Sequence, residues 1–302
     1  MFKLKPETTG VFFLLTQSIL WGAFAIVINS GTKHIDPIFY AGISSIFASL
    51  TCLIYVILTK NTKSLLDTKS YFYILLVTLL IIVIPYYLFF IGASKTSGLN
   101  TSLLLLSEII FTMIITPFFG ERTSLYKIFG ASGIFFGALF IMYNGSLKLN
   151  AGDLLIVLST LCYPFGNFYA KKALNLVAPS VILFFRFLIG GLILLTISHF
   201  ISPDLDIKKT LTDNLLIIFI SGSAIMAISS ILFYEGLKRL DISKTISLIM
   251  TFPISSLFIL IFILKEEISL YKWIGIIFMA IGVYFTIKRK SVDPKLTRYA
   301  HN

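Results

Sequence analysis

The chain has 302 residues, of which 57% are hydrophobic and only 13% charged, with a net charge of +11. So little charge cannot cover a water-soluble domain of this length, and a mean hydropathy of +0.94 points to burial in a bilayer. The positive charges sit in short clusters between apolar runs, which excludes a nucleic-acid-binding surface.

Lys3 and Lys5 precede a first apolar run, 10–30, too long for a signal-peptide core and followed by no small-residue cleavage site. Nine more runs follow, at 37–58, 71–94, 98–119, 125–144, 152–171, 179–200, 214–236, 243–264 and 270–288. A spanning helix needs about 20 apolar residues. The runs therefore predict an all-α integral membrane protein of ten transmembrane helices. Pro37 and Pro179 open the second and seventh, and Pro85 predicts a kink in the third. The longest connection runs from Ile201 to Asp213, and residues 291–302 read as a flexible cytoplasmic tail. With the N-terminus inside, 17 of the Lys and Arg residues fall in inner segments and 7 in outer ones, so both termini are expected to face the cytoplasm. The plasma (inner) membrane is the expected location.

Cys52 and Cys162 lie inside apolar runs, and His34, His199 and His301 lie at or beyond run ends. No disulfide, metal site or cofactor is expected from them. There is no phosphate-binding G-x-x-x-x-G-K-[ST] loop.

Ser124-Leu125-Tyr126-Lys127 recurs 145 residues later as Ser269-Leu270-Tyr271-Lys272. At the same offset Glu121, Gly130, Gly137 and Phe140 match Glu266, Gly275, Gly282 and Phe285. This divides the chain into a first five-helix repeat, 1–146, and a second, 147–290. An odd number of helices per repeat makes the second copy inverted, an architecture common among secondary transporters.

With these residues in view, the chain resembles the EamA family of the drug/metabolite transporter superfamily. The resemblance is carried by Trp21-Gly22, by Gly120-Glu121-Arg122, by Pro253 with Glu266, and by the glycine-rich fifth and tenth helices. It implies a ten-helix permease, often an exporter, with a central cavity between its halves. The family commonly has a proline near the position of Glu108, where this chain has Ile109 after the acid. It often has an arginine early in the second helix, which here appears only as Arg186, opposite Ser44 in the first half.

Polar residues at helical spacing mark the candidate lining. They are Gln17, Trp21 and Asn29 on helix 1, Tyr87 on helix 3, and Thr101, Glu108 and Thr112 on helix 4. Further along are Ser159, Tyr163 and Asn167 on helix 6, Ser223, Ser230 and Tyr234 on helix 8, and Ser247, Thr251 and Ser255 on helix 9. A single Ser or Thr more often ties helices together than binds a substrate. Glu108 is different. An acid near the midplane costs about 3 kcal/mol on insertion scales. It can bind an amine when ionised, or carry a proton. Arg186 either anchors a substrate carboxylate, pairs with Glu108, or snorkels to the interface. Glu121 and Glu266 read as caps or interhelical ties. Helix 5, with Gly130, Gly133 and Gly137, reads as scaffold packing or a dimer surface.

The expected function is transport of a small metabolite, such as an amino acid, an amine or a nucleoside-type compound, by alternating access. The proposed binding residues are Glu108, Gln17, Trp21, Thr112, Tyr163, Asn167, Tyr234, Thr251, Arg186 and Tyr87. The partners are the substrate, the bilayer and protons as a coupling ion, in a monomer or homodimer, and no nucleic acid. A non-transporting receptor or scaffold is the alternative. An intramembrane lipid-modifying enzyme would need a cluster of His, Asp or Ser–Lys groups at one depth, which the chain lacks.

Overall fold

A computed structural model of the chain describes residues 6–121, 124–142, 150–255 and 270–288. Arg122, Glu266, the repeat boundary at 146/147 and the tail from 291 lie outside the described residues. Among those described there are ten helices and their short connections. They are α1 (Pro6–Gly31), α2 (Pro37–Leu58), α3 (Thr68–Ser94), α4 (Thr101–Phe119) and α5 (Leu125–Met142). The second five are α6 (Ala151–Leu174), α7 (Pro179–Ile201), α8 (Ile207–Leu237), α9 (Ile242–Ser255) and α10 (Leu270–Lys288). Seven are long and apolar enough to cross a membrane. The chain is an all-helical, multi-pass membrane protein.

Helix starts follow local chemistry. The Asp36 carboxylate accepts the Ile38 and Phe39 amides at 3.1 and 2.9 Å, and Pro37, which has no amide hydrogen to orphan, fills the first turn of α2. Asn150 and Asp153 form a reciprocal capping box on α6. Asp206 accepts the Lys209 amide at 2.9 Å, which starts α8 inside the segment read from sequence as a connection. The kink expected at Pro85 takes another form. α3 widens into π-helical turns at Thr78–Val83, so Ile84 donates to Leu79, and the widened turns run directly into the α-helical turn that holds Pro85. α8 widens likewise at Ile220–Ile228, its last widened residue lying 145 positions after Val83.

The chain forms two compact units. Unit 1 comprises Met1–Ala23, Ser102–Lys148 and Leu232–Asn302; unit 2 comprises Phe24–Thr101 and Leu149–Ile231. In unit 1, α5 and α10 are in intimate contact through their glycines. A Cβ added at Gly137 would stand 2.5 Å from Met279 Cγ and 2.6 Å from the Gly275 carbonyl oxygen. The glycine face of α5 is therefore occupied within the chain rather than offered to a second copy. In unit 2, α2 packs on α7 and on the widened part of α8, where Gly222 sits directly against the Ser44 carbonyl.

Gly137→Ala is expected to destabilise the protein by about 1–3 kcal/mol, because the contact atoms on the Gly275 side are backbone and cannot retreat. Gly98→Ala, whose nearest neighbour would be Asn29 Oδ1 at 3.4 Å, is expected to leave stability almost unchanged. Thermal unfolding of both variants in detergent, compared with the parent, checks the contrast.

Candidate functional site

The polar residues of unit 1 gather on three helices, and hydrogen bonds fix how those helices run. α4 ends at Gly120, whose φ of 85° is the left-handed value that a glycine takes without strain. The reversal delivers Glu121 to the start of α9. Its carboxylate accepts the Ile242 amide at 2.7 Å and the Ser243 amide at 3.2 Å, and also takes the Ser243 hydroxyl. Lys127 Nζ lies 3.6 Å from the same carboxylate and donates to Thr116 Oγ1 at 2.8 Å. Thr116 in turn meets Ser243 Oγ at 2.8 Å. Glu121 is thus an interhelical tie, as its place at a helix end suggests, and it holds the end of α4 against the start of α9. On the far side of α9's first turn, the buried Lys244 ammonium donates to Glu7 at 2.6 Å and to the Ile287 carbonyl at 3.2 Å.

From the Thr116–Ser243 bond, α4 runs back eight residues to Glu108 and α9 runs forward eight to Thr251. A rise of 1.5 Å per residue carries each about 12 Å, to comparable depth. Both helices are broken there. In α4, Leu106 donates to Leu103 and Ile109 to Leu106, i→i−3 bonds that interrupt the α-helical ladder. In α9, Thr251 donates to Leu248 and Ile254 to Thr251. Each pair of residues in α9 is the pair in α4 plus 145, the offset of the sequence repeat. Glu108 lies in the first turn of the helix that resumes after the break in α4, where helix polarity favours a carboxylate. Pro253 holds the equivalent place after the break in α9.

Around these breaks the sequence-predicted residues divide into satisfied and unsatisfied groups. Thr251 donates to Leu248 and to Ser18 Oγ, 3.1 Å away on α1, which brings Gln17's turn of α1 to the broken part of α9. Gln17 is 2% exposed, and its side-chain carbonyl has no hydrogen-bond partner among the described residues. Thr112, fully buried one turn beyond Glu108, has an unpartnered hydroxyl. Thr101, Thr116 and Ser159, by contrast, each return their hydroxyl proton to a carbonyl of their own helix, while the buried hydroxyls of Ser44 and Thr245 share the Thr112 condition. Glu108 is 6% exposed and has no ion-pair partner among the described residues. Trp21 is half-buried on α1 and Tyr234 is buried on α8.

Unit 2 holds the other four predicted residues. Arg186 on α7 is buried rather than snorkelled outward. Its guanidinium donates to Ser230 Oγ at 2.7 Å and lies 4.6 Å from the Phe187 ring centroid. Tyr163 and Asn167 are buried on α6 at either side of Pro164, which removes a hydrogen bond from the middle of that helix. Tyr87 is half-buried on α3. Asn29, grouped by sequence with Gln17 and Trp21, instead donates to the Ala93 and Thr96 carbonyls at 2.7 and 2.9 Å and caps the end of α3. Sequence reading passed over the two helix breaks, Ser18 and the burial of Lys127. A signal for the first existed: Pro253 disfavours helical geometry in the residue before it, and the repeat offset carries that expectation onto α4.

Replacing Glu121 by Ala would leave Lys127 and two amides without their acceptor in a buried place, and is expected to cost about 3–5 kcal/mol. Glu121→Gln, which keeps an oxygen for the amides, is expected to lose less. Chemical or thermal unfolding of both purified variants measures the difference.

Comparison with known proteins adds a family to this geometry. The pattern described as "EamA-like transporter family" matches residues 8–143 and again residues 150–288. The uncharacterized transporter YoaV of Bacillus subtilis (strain 168) is 20% identical over 290 residues, covering 92% of this chain and 98% of that protein. The uncharacterized transporter YyaM of the same organism is 24% identical over 282 residues, covering 89% and 90%. A solved crystal structure superposes with a TM-score of 0.73 over 97% of this chain and 98% of its own, at 14% identity, a likeness of fold.

Proposed function

The chain belongs to the EamA-like transporter family, and we propose that it is a secondary transporter that carries a small metabolite across the plasma membrane by alternating access. The observation that carries this reading is the pair of matched breaks in α4 and α9, which interrupt the two helices at repeat-equivalent residues, the break in α4 beside a buried acid. Broken helices at mid-membrane, in equivalent places of two repeats, are where secondary transporters build their binding sites. In this reading all ten helices cross the membrane, the repeats 1–146 and 147–290 are inverted, and both termini face the cytoplasm.

Glu108 would take an ammonium group or a proton, with the Thr112 hydroxyl and the Gln17 carbonyl completing an oxygen-lined site. Trp21, Tyr234 and Thr251 would bound it. Arg186, Tyr163, Asn167 and Tyr87 are proposed to contact the substrate during the cycle. The chemistry suits an amino acid, an amine or a nucleoside-type metabolite, exported or exchanged, with a gradient rather than a nucleotide as the driving force.

Glu108→Gln keeps the side chain's shape and removes its charge. It is expected to lower uptake of the transported amine or amino acid into proteoliposomes at least about tenfold, the loss of one charge-assisted contact of roughly 1.5–3 kcal/mol, and to flatten the dependence of rate on pH. An unchanged rate and pH profile would remove Glu108 from the site. Flux or thermal-shift binding across a panel of metabolites tests transport itself, and a panel with neither would overturn it.

Thr112→Val, isosteric and without the hydroxyl, is expected to raise the substrate concentration for half-maximal flux several-fold while leaving thermal stability within about 1 kcal/mol, because the hydroxyl has no partner among the described residues to lose.

A further inference from the structure

At one end of unit 2 the chain between α2 and α3, together with the first turns of α3, forms an ordered platform. α2 ends in a left-handed turn at Lys60, φ 56°, the only positive φ among the described non-glycine residues. The Asn61 amide reaches back to Val56, and glycine would fill the Lys60 position with less strain. Two single 3₁₀ turns follow, Thr62–Leu66 and Thr68–Ser70. The platform is pinned to its neighbours. Asn61 donates to Ser180 at 3.2 Å, Tyr71 donates to the Leu65 carbonyl at 2.6 Å, and Tyr71 packs edge-on against Phe185 on α7. Beside it, Lys172 of α6 lies over the Phe168 ring at 4.6 Å, with Tyr73 and Tyr169 at 6.0 Å.

The charges of this end are unbalanced. Lys60, Lys63 and Lys69 are exposed, Lys172 stands alongside against Tyr73, and Asp67 is the one acid within the platform, where it caps the Lys69 amide. At the same level Leu66 is 82% exposed and Phe72 66% exposed. Exposed apolar side chains among exposed lysines, on backbone held in place, match the chemistry of the layer where acyl chains meet phosphates.

We propose that this platform is a binding surface for anionic phospholipid headgroups, with Lys60, Lys63 and Lys69 meeting the phosphate and Leu66 and Phe72 inserted beside the acyl chains. It does not depend on the transport reading.

The test is native mass spectrometry and thermal unfolding of the purified protein in micelles doped with phosphatidylglycerol or phosphatidylcholine. The parent is expected to retain phosphatidylglycerol about tenfold or more over phosphatidylcholine, and to melt higher in its presence, since each lysine near an anionic surface contributes up to about fivefold. Lys60→Gln, Lys63→Gln and Lys69→Gln together should abolish most of that preference, and the corresponding triple replacement by Arg should keep it. Equal retention of both lipids by the parent would overturn the proposal. So would an undiminished preference in the Gln variant, or an equal melting shift from soluble glycerol phosphate, which would indicate a free-phosphate site. If the Gln variant does not fold, Lys60→Gly alone, which eases the turn, should still lower the preference measurably; no change there would also overturn it.

Discussion

Hydrocarbon offers no partner to a backbone amide or carbonyl, and an unpaired one costs several kcal/mol. That constraint forces the chain into helices, and it makes any interruption of a helix expensive unless something else satisfies the freed groups. In α4 and α9 the interruption is made with i→i−3 bonds, which keep the donors at Leu106, Ile109, Thr251 and Ile254 paired while loosening the ladder. The two breaks occur at equivalent residues of the repeat, so they belong to the architecture rather than to an accident of one helix. The polar side chains of unit 1 gather where the ladder is loosened, and Ser18 is drawn to the same turn by its bond to Thr251.

Buried polar groups in this protein serve two purposes, and their hydrogen-bond accounts separate them. Glu121 takes two amides and a hydroxyl and faces Lys127; Asp36 caps α2 and receives Ser202 at 3.0 Å; Asn29 closes α3. Such groups fix where helices meet, and removing one partner leaves the others buried without compensation. Gln17 and Thr112 are buried just as deeply but leave an oxygen without a partner among the described residues, and Glu108 has no ion-pair partner among them. A scaffold gains nothing from an uncommitted oxygen in an apolar interior, whereas a binding site needs one.

Much of the architecture was legible because its causes are local. The run 37–58 coincides with α2, since a proline start is written in the sequence itself. The start of α8 was not legible, because it depends on one carboxylate, Asp206, turning back on the Lys209 amide. Glu121 could be recognised as a tie from its place at a helix end. Its partners lie about 120 residues further along, and nothing near Glu121 names them. The breaks are an intermediate case. Pro253 betrays one of them, while Glu108 conceals the other because an acid, unlike a proline, does not forbid a helix. The hydroxyl stripes misled in the opposite way, since Thr101 and Ser159 are spaced like lining residues but spend their protons on their own helices.

The contact between α5 and α10 has a consequence for how the protein is made. Gly130, Gly133 and Gly137 emerge from the ribosome about 145 residues before the residues they pack against, Gly275, Met279 and Gly282. At typical elongation rates of roughly 5–20 residues per second, α5 waits roughly 7–30 s with its glycine face bare. Small residues that invite any helix to approach closely are then open to lipid or to a passing segment of another chain. Unit 1 closes on itself only when the last helix is delivered, so a truncation that spares nine helices and removes α10 leaves α5 without the partner its sequence was shaped to receive.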